Sequence, residues 1–185
     1  MNYQAKFLMM KVVVISYSLT GNNEALAGSI ATELGAEHIR ISENKRRKML
    51  SIFLDILFDR TPRVQLQLDR VLHSDLVVFV GPVWLGHVST PFRVCFKRLR
   101  ATKCQYAFVS ISGGADGENV KLAGELNKRM GKDPAALIDL HIADLLPAIP
   151  KPTRKDTMVY RLTKSDIALL TVKAVKAIRE CVQRM

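Results

Sequence analysis

The chain has 185 residues, of which 48% are hydrophobic, and a net charge of +11 at pH 7. This length fits one domain with a buried core, so we expect a single domain over residues 1–185. No apolar run approaches the roughly 20 residues needed to cross a bilayer. The three cysteines lack the spacing of a zinc site or a disulfide framework, and we interpret them as reduced thiols of a cytoplasmic protein.

The positive charge is a feature that nucleic-acid-binding proteins share. Here, however, the basic residues are spread along the chain, and no basic run alternates with aromatic side chains on which bases could stack. The sequence therefore favours a solvated basic surface and predicts no nucleic-acid partner.

Strand and helix patterns alternate along the chain. The β-branched run at residues 11–16 predicts a strand buried on both faces, and residues 22–34 have a helical apolar spacing that ends at Gly35. The other predicted elements are strands at 37–41, 76–80, 105–111 and 136–142, helices at 91–100 and 118–130, and a last helix that follows a capping box at 163–166. This alternation predicts a three-layer, doubly wound α/β fold with a five-stranded parallel sheet in the order 2-1-3-4-5.

A basic and apolar segment over residues 43–63 interrupts the alternation before the third strand, and we expect it to be helical. It begins with the four cations of residues 45–48, and a narrow polar stripe along its helix leaves a wide apolar surface. We favour a helix that packs on the sheet and covers part of a bound ligand or a partner subunit. Attachment of residues 45–60 to an anionic membrane is the alternative.

The loop after the first strand is rich in neutral hydrogen-bond donors. Ser16, Ser18 and Thr20 supply hydroxyls. Asn22 and Asn23 add amides, and the backbone N–H groups that enter the helix complete a cradle for an anion. The loop contains no Lys or Arg and so lacks the Walker pattern, which favours a monophosphate over a triphosphate. An ordinary turn with an Asn cap is the alternative.

The loop after the third strand, Gly-Pro-Val-Trp-Leu-Gly-His over residues 81–87, holds the only tryptophan. Its glycines permit close backbone approach, and Trp84 offers a flat surface against which a planar ring can lie. A tryptophan that is simply part of the core and an exposed His87 are the alternatives. The loop after the fourth strand, residues 110–117, has paired glycines, and its Asp116 is predicted to cap the next helix. All three loops should meet at one edge of the sheet.

These motifs resemble the flavodoxin-like FMN-binding superfamily. Residues 18–22, Ser-Leu-Thr-Gly-Asn, match its phosphate loop, and residues 81–86 followed by Pro91 match the third-strand loop of its short-chain members. The resemblance implies that FMN is the cofactor, with no catalytic side chain and no metal. The implied FMN-binding residues are Ser16, Ser18, Leu19, Thr20, Gly21, Asn22, Asn23, Pro82, Val83, Trp84, Leu85, Gly86, His87, Ser112, Gly113, Gly114 and Asp116.

The sequence departs from the superfamily in two respects. The family usually has Thr or Ser where Asn23 stands, and its electron-carrying members are acidic whereas this chain is basic. Positive charge near a flavin favours the fully reduced anion. We therefore predict an FMN-dependent oxidoreductase that passes two electrons from NAD(P)H to a quinone-like or other small acceptor. A flavodoxin-type carrier serving a small-molecule or protein redox partner, and a flavin-free binding module, are the alternatives.

Overall fold

A computed structural model describes residues 7, 9–43, 49–65 and 68–184 of the chain. Its centre is a five-stranded parallel sheet. The strands of this sheet are β1 (Val12–Ser16), β2 (Glu37–Arg40), β3 (Leu76–Val80), β6 (Gln105–Ser112) and β7 (Ala136–His141). They lie in the spatial order β2-β1-β3-β6-β7, which confirms the predicted 2-1-3-4-5 arrangement when the strands of the sheet are counted in sequence.

Helices cover both faces of the sheet, and a short hairpin follows β3. The helices are α1 (Asn22–Leu34), α2 (Met49–Leu57), α3 (Leu68–Leu72), α4 (Arg93–Leu99), α5 (Leu122–Met130), α6 (Arg154–Val159) and α7 (Lys164–Arg184), the 3-10 turns are Thr90–Phe92 and Ile142–Leu145, and the hairpin strands are β4 (Val83–Trp84) and β5 (His87–Val88). The helix predicted at 22–34 and the strand predicted at 76–80 have the predicted bounds.

Alternation of side chains along the central strands divides the core in two. On β1, Val14 faces the cluster formed with α1 and α7, whereas Val13 and Ile15 face the cluster formed with α4 and α5. Phe79 lies in the second cluster, in edge-to-face contact with Phe96 at a centroid distance of 4.9 Å. Because both faces are covered, β1 and β3 are buried along their whole lengths, and for β1 this confirms the prediction from its β-branched run.

Several element boundaries differ from the prediction. The helix predicted from residue 118 begins only at Leu122, and no side chain caps it, so the prediction that Asp116 is its cap is wrong. A 3-10 turn precedes α4, because Pro91 lies in the tight first turn. The capping box of α7 is confirmed: the backbone N–H of Asp166 donates to Thr163 Oγ1 at 3.2 Å, and that of Thr163 donates to Asp166 Oδ2 at 2.8 Å.

Within the predicted helical segment, α2 covers residues 49–57, and the basic run at 45–48 lies outside the described residues. Cys95, Cys104 and Cys181 are buried and unbonded, and burial raises the pKa of the Cys104 thiol to about 11. In the part of the chain that the structure describes, none of the helices combines the length and apolar character needed to span a bilayer.

Candidate functional site

The loops that follow β1, β3 and β6 open onto one cavity of about 710 Å³, a volume within the range of small-molecule sites. Predicted residues from all three loops line it: Leu19, Thr20, Asn22, Asn23, Pro82, Val83, Trp84, Leu85, Ser112 and Gly113. The other predicted residues do not line it: Ser16, Ser18, Gly21, Gly86, His87, Gly114 and Asp116. The doubly wound topology therefore brings the three loops together, although only part of each loop faces the cavity.

Helix α1 presents an uncapped N-terminus at one end of this cavity. Its N-cap is Gly21, and no side chain there accepts a hydrogen bond from the first turn. Thr20, just before it, is exposed and lines the cavity, while Ser18 Oγ accepts a hydrogen bond from the backbone N–H of Gly21 at 3.0 Å. The first N–H groups of a helix have no partner within the helix, and the helix dipole favours negative charge beside them. This end of the cavity is suited to an anion.

Asn23 joins the loop after β1 to the end of β6. Its Nδ2 donates to the carbonyl of Ile111 at 3.0 Å, and its Oδ1 accepts from the backbone N–H of Ile111 at 3.1 Å. The residue is only 3% exposed, so both hydrogen bonds are shielded from water. Its amide is therefore engaged in holding two of the three loops together.

Asn22 anchors the same loop to the segment that precedes α7. Its Nδ2 donates to the carbonyl of Tyr160 at 3.0 Å, and its Oδ1 accepts from the backbone N–H of Leu162 at 3.2 Å. As at Asn23, the side-chain amide donates one hydrogen bond and accepts another from a distant segment, in the way that a backbone peptide group does. The two side chains fix the position of the helix N-terminus from both sides.

Ser16 lies beneath the cavity rather than in its wall. It is buried, and its hydroxyl is 2.8 Å from Nε2 of His38 on the neighbouring strand β2. Burial, reinforced by the charge of Arg40, lowers the pKa of His38, while Glu24 opposes this shift. The neutral imidazole is thus favoured, and it holds the hydroxyl of Ser16 away from the anion-binding end.

The β4–β5 hairpin forms the apolar wall of the cavity. Trp84 packs edge-to-face on Tyr17, with ring centroids 5.8 Å apart. Leu85 and Gly86 at the tip both have positive φ, which is typical of a tight hairpin turn, and Leu85 is 74% exposed. The side chain of His87 is 44% exposed, and its Nδ1 lies 2.7 Å from Glu125 Oε2, which also accepts a hydrogen bond from the backbone N–H of Val88 at 3.3 Å. The hairpin is thereby tied to α5 at its base.

A polar network fixes the loop after β6. Asp139 accepts hydrogen bonds from Ser110 Oγ, from Asn119 Nδ2 at 2.8 Å and from the backbone N–H of Asn119 at 3.2 Å, and it lies 3.1 Å from His141 Nε2. Burial alone would raise the pKa of Asp139, but the hydrogen bonds from Ser110 and Asn119 outweigh it and lower the pKa. Gly114 packs directly against His141, where a Cβ would lie 2.3 Å from the His141 Cβ. The backbone of this loop is therefore held close to the sheet.

Sequence reasoning expected the segment 43–63 to cover part of a bound ligand, but it named none of the lining residues on α2 and α6. The additional lining residues are Ile52, Phe53, Ile111, Ile142, Arg154, Thr157 and Met158. Helix α6 was not predicted, and the signal for it was a second capping box, in which Thr153 Oγ1 accepts from the backbone N–H of Asp156. Arg154 is the one charged side chain among the described residues that line the cavity, and its Nε donates to Asp116 Oδ2 at 2.8 Å.

Within the described ranges, no group of three or more His, Cys, Asp and Glu side chains is arranged to hold a metal ion. The chemistry of the site comes from backbone N–H groups, hydroxyls, one guanidinium and an apolar wall with a tryptophan. Such a set can hold an anionic group at one end and a planar apolar group at the other.

Solved structures share this fold at low sequence identity. A flavoprotein from Lactobacillus acidophilus, solved in complex with FMN, has 20% identity and a TM-score of 0.60, with 70% of this chain and 93% of that chain covered. A flavodoxin from the domain Archaea has 18% identity and a TM-score of 0.52, with 94% and 99% covered. A WrbA-like flavodoxin from Agrobacterium tumefaciens has 12% identity and a TM-score of 0.52, with 95% and 99% covered.

No protein-family model matches the sequence, and no curated protein matches it either. At the identities found, the likeness to solved structures shows the fold. The chain has the flavodoxin-like α/β fold, and the resemblance inferred from its motifs is confirmed at that level.

Proposed function

We propose that the chain binds FMN in the cavity at the carboxyl edge of the sheet and acts as an FMN-dependent oxidoreductase. Its reaction would pass two electrons from NAD(P)H to a quinone-like or other small acceptor. One observation carries the proposal: the uncapped N-terminus of α1 and the tryptophan-bearing hairpin face the same cavity of about 710 Å³. The neighbour from Lactobacillus acidophilus, solved in complex with FMN, supports the choice of cofactor.

The donors of the phosphate loop fit a monophosphate ester. Since the side chains of Asn22 and Asn23 are engaged with distant backbone groups, we propose that phosphate is held by the hydroxyl of Thr20 and by the first N–H groups of α1. Ser18 does not line the cavity, and its Oγ supports the loop by accepting a hydrogen bond from the N–H of Gly21. One hydroxyl and a helix N-terminus, with no adjacent cation, suit one terminal phosphate.

The remaining walls fit a planar ring. Trp84 and Leu85 supply apolar surface on one side, and Gly113 brings bare backbone close on the other. Gly113 itself has no spare room, because a Cβ there would lie 2.9 Å from Thr157 Oγ1. Phe53 of α2 and Met158 of α6 extend this apolar surface at the mouth. We propose that the flavin ring lies between the hairpin and the loop after β6.

The proposal of two-electron chemistry rests on the positive charge of the chain, which is +11 at pH 7. FMN supplies one- or two-electron transfer at its ring, and full reduction leaves negative charge there. Among the described lining residues, Arg154 is a cation and none is a carboxylate. Because Arg154 is 79% exposed and its Nε donates to Asp116 Oδ2, its own attraction for negative charge on the ring is weak, and the net positive charge of the chain is what supports the reduced form. The role of this chain is thus to orient the ring, to exclude water from one side of it and to favour its reduced form.

A charge placed in the phosphate loop tests the cofactor assignment. In Thr20→Asp, a carboxylate beside the N-terminus of α1 would suit the helix dipole and leave the fold at least as stable. The same carboxylate would repel phosphate, and we expect the affinity for FMN to fall about 100-fold or more. The matched control is Thr32→Asp, since Thr32 is equally exposed but lies at the other end of α1. If fluorescence titration shows that Thr20→Asp binds FMN with unchanged affinity, the proposal that this loop binds the phosphate is contradicted.

Kinetics tests the reaction separately. With FMN bound, we expect NADH or NADPH to reduce the flavin without accumulation of a radical signal, and turnover with a soluble quinone to follow. A long-lived radical during stepwise reduction, together with no NAD(P)H turnover over a panel of quinones, would instead identify a one-electron carrier. Absence of any FMN binding by the folded protein would identify a flavin-free binding module.

A further inference from the structure

A second cavity, separate from the proposed flavin site, lies between α4 and α5. Its volume is about 270 Å³, and it shares no lining residue with the larger cavity. Cations dominate its wall, which consists of Asp59, Arg93, Phe96, Lys97, Arg100, Lys128 and Arg129. Five positive side chains and one carboxylate therefore face a space that the proposed function does not use.

The deepest of these cations, Arg93, has unused donors. Its side chain is only 3% exposed, and its Nη1 donates to the carbonyls of Asp55 at 2.9 Å and Arg60 at 2.7 Å. Its Nε and Nη2 have no hydrogen-bond partner among the residues that the structure describes. Burial, followed by repulsion from Arg129, lowers the pKa of Arg93. A buried guanidinium with two donors unpaired is costly, and an anion that reached it would offset that cost.

Asp59 is the single acidic residue in the wall of this cavity, and its carboxylate contacts both Arg93 and Arg129. Its Oδ1 lies 3.2 Å from Arg93 Nη1 and 2.9 Å from Arg129 Nη2, and the hydrogen bond from Arg129 lowers the pKa of the carboxyl. The side chain is 73% exposed, and the backbone is left-handed with φ of 48°. Glu125 neutralises a further part of this charge, because its Oε1 accepts from Arg129 Nε at 2.8 Å. Two carboxylates against five cations still leave the cavity with a net positive charge.

We propose that this cavity is a second anion site that takes the phosphate or diphosphate group of a small soluble ligand, and that the Asp59 carboxylate competes with that ligand. Arginine guanidinium groups match phosphate oxygens in geometry and charge, and two lysines beside them add attraction at the mouth. A phosphate group offers several acceptors at once, which suits the two unpaired donors of Arg93.

Binding of an anion in this second cavity would change the anchoring of a helix that lines the flavin cavity. Arg93 holds the C-terminal end of α2 through the carbonyls of Asp55 and Arg60, and the same helix contributes Ile52 and Phe53 to the larger cavity. A ligand that draws the guanidinium toward itself changes the anchoring of that helix. The second site is therefore placed to modulate access to the first.

Titration with sodium pyrophosphate at constant ionic strength tests the proposal. In two-dimensional amide NMR spectra of the full chain, we expect saturable shifts at residues 97–100 and 128–131, while signals of residues 18–23 report any binding at the phosphate loop separately. Lys97→Gln and Lys128→Gln should each weaken the binding at least threefold, since each removes one unit of attraction. Lys173→Gln, an exposed lysine on α7 outside this cavity, is the matched control and should change it little.

Asp59→Asn tests the proposal in the opposite direction, because this substitution should increase the affinity for pyrophosphate. Asparagine tolerates left-handed backbone, so the turn is kept while the competing charge is removed, and we expect pyrophosphate to bind about tenfold more tightly. A general loss of structure would weaken binding rather than strengthen it. Non-saturating shifts, an equal effect of Lys173→Gln and Lys97→Gln, or no gain in Asp59→Asn would each overturn the proposal.

Discussion

The asparagine that links two loops of the site gives the sharpest stability prediction. In Asn23→Ala, both groups that pair with Ile111 are lost, so the N–H and the carbonyl of that residue are left buried without partners. Because Asn23 is 3% exposed, water cannot replace these bonds without opening the loop. We expect the variant to be strongly destabilised, and the N-terminus of α1 to lose its fixed position.

The magnitude follows from the number of orphaned groups. Each buried polar group left unsatisfied costs about 1–3 kcal/mol, which gives roughly 2–6 kcal/mol for the two. Alanine has the better helix propensity, by about 0.6 kcal/mol, and offsets a small part. The net expectation is a loss of about 1.4–5.4 kcal/mol in the free energy of unfolding, which is a large share of the stability of an ordinary domain.

Urea unfolding followed by circular dichroism measures this loss. The matched control is Asn127→Ala, in which an exposed asparagine loses a single hydrogen bond, 2.7 Å from Nδ2 to Asp133 Oδ1, and we expect a change below about 0.5 kcal/mol. Equal stability of the two variants would refute the reasoning, because it would mean that Asn23 does not carry the link between the loops.

Three further predictions concern other parts of the site. Burial lowers the pKa of His38 below 6.5, so as the pH falls the imidazole is protonated in the unfolded chain before it is protonated in the folded one. The contribution of His38 to stability is therefore complete above pH 6.5 and is lost below it. Between about pH 7.5 and 5.5, Tm should fall less in His38→Asn than in the wild type. Leu85→Asn should raise the free energy of unfolding by about 1 kcal/mol, since asparagine adopts its positive φ more readily, and a lowered urea midpoint would contradict this. Asp139→Asn should lower the free energy of unfolding by about 1–3 kcal/mol at pH 7, because it weakens the polar network that fixes the loop after β6. A calorimetric Tm equal to that of the wild type would show that this network does not stabilise the loop.

The parts of the fold that could be predicted are those set by local patterns. A run of β-branched residues gives the strand Leu76–Val80, and the apolar spacing that ends at Gly35 gives α1 with its bounds. Sheet order follows from the alternation of strands and helices, because right-handed crossovers leave few arrangements. The meeting of three loops at one edge is a consequence of that order, and it was predicted with it.

The parts that could not be predicted depend on partners far apart in the sequence. Nothing near Asn23 indicates that its amide pairs with a backbone 88 positions away, and Asp116 turns from a helix cap into the partner of Arg154 for the same reason. Helix α6 has six residues in a segment rich in proline and lysine, where composition favours a loop over the capping signal. The sequence therefore indicates which side chains of the phosphate loop are hydrogen-bond donors. Only the structure shows which of these donors are already engaged with distant backbone groups.

The absorption spectrum of the purified chain during titration with FMN tests the central claim most directly. The proposed function predicts flavin bands that are shifted by the apolar wall around Trp84 and that saturate at one FMN per chain. The FMN concentration at half-saturation should rise about 100-fold or more in Thr20→Asp and stay unchanged in Thr32→Asp. A folded protein that leaves the spectrum of free FMN unchanged at every concentration would contradict it.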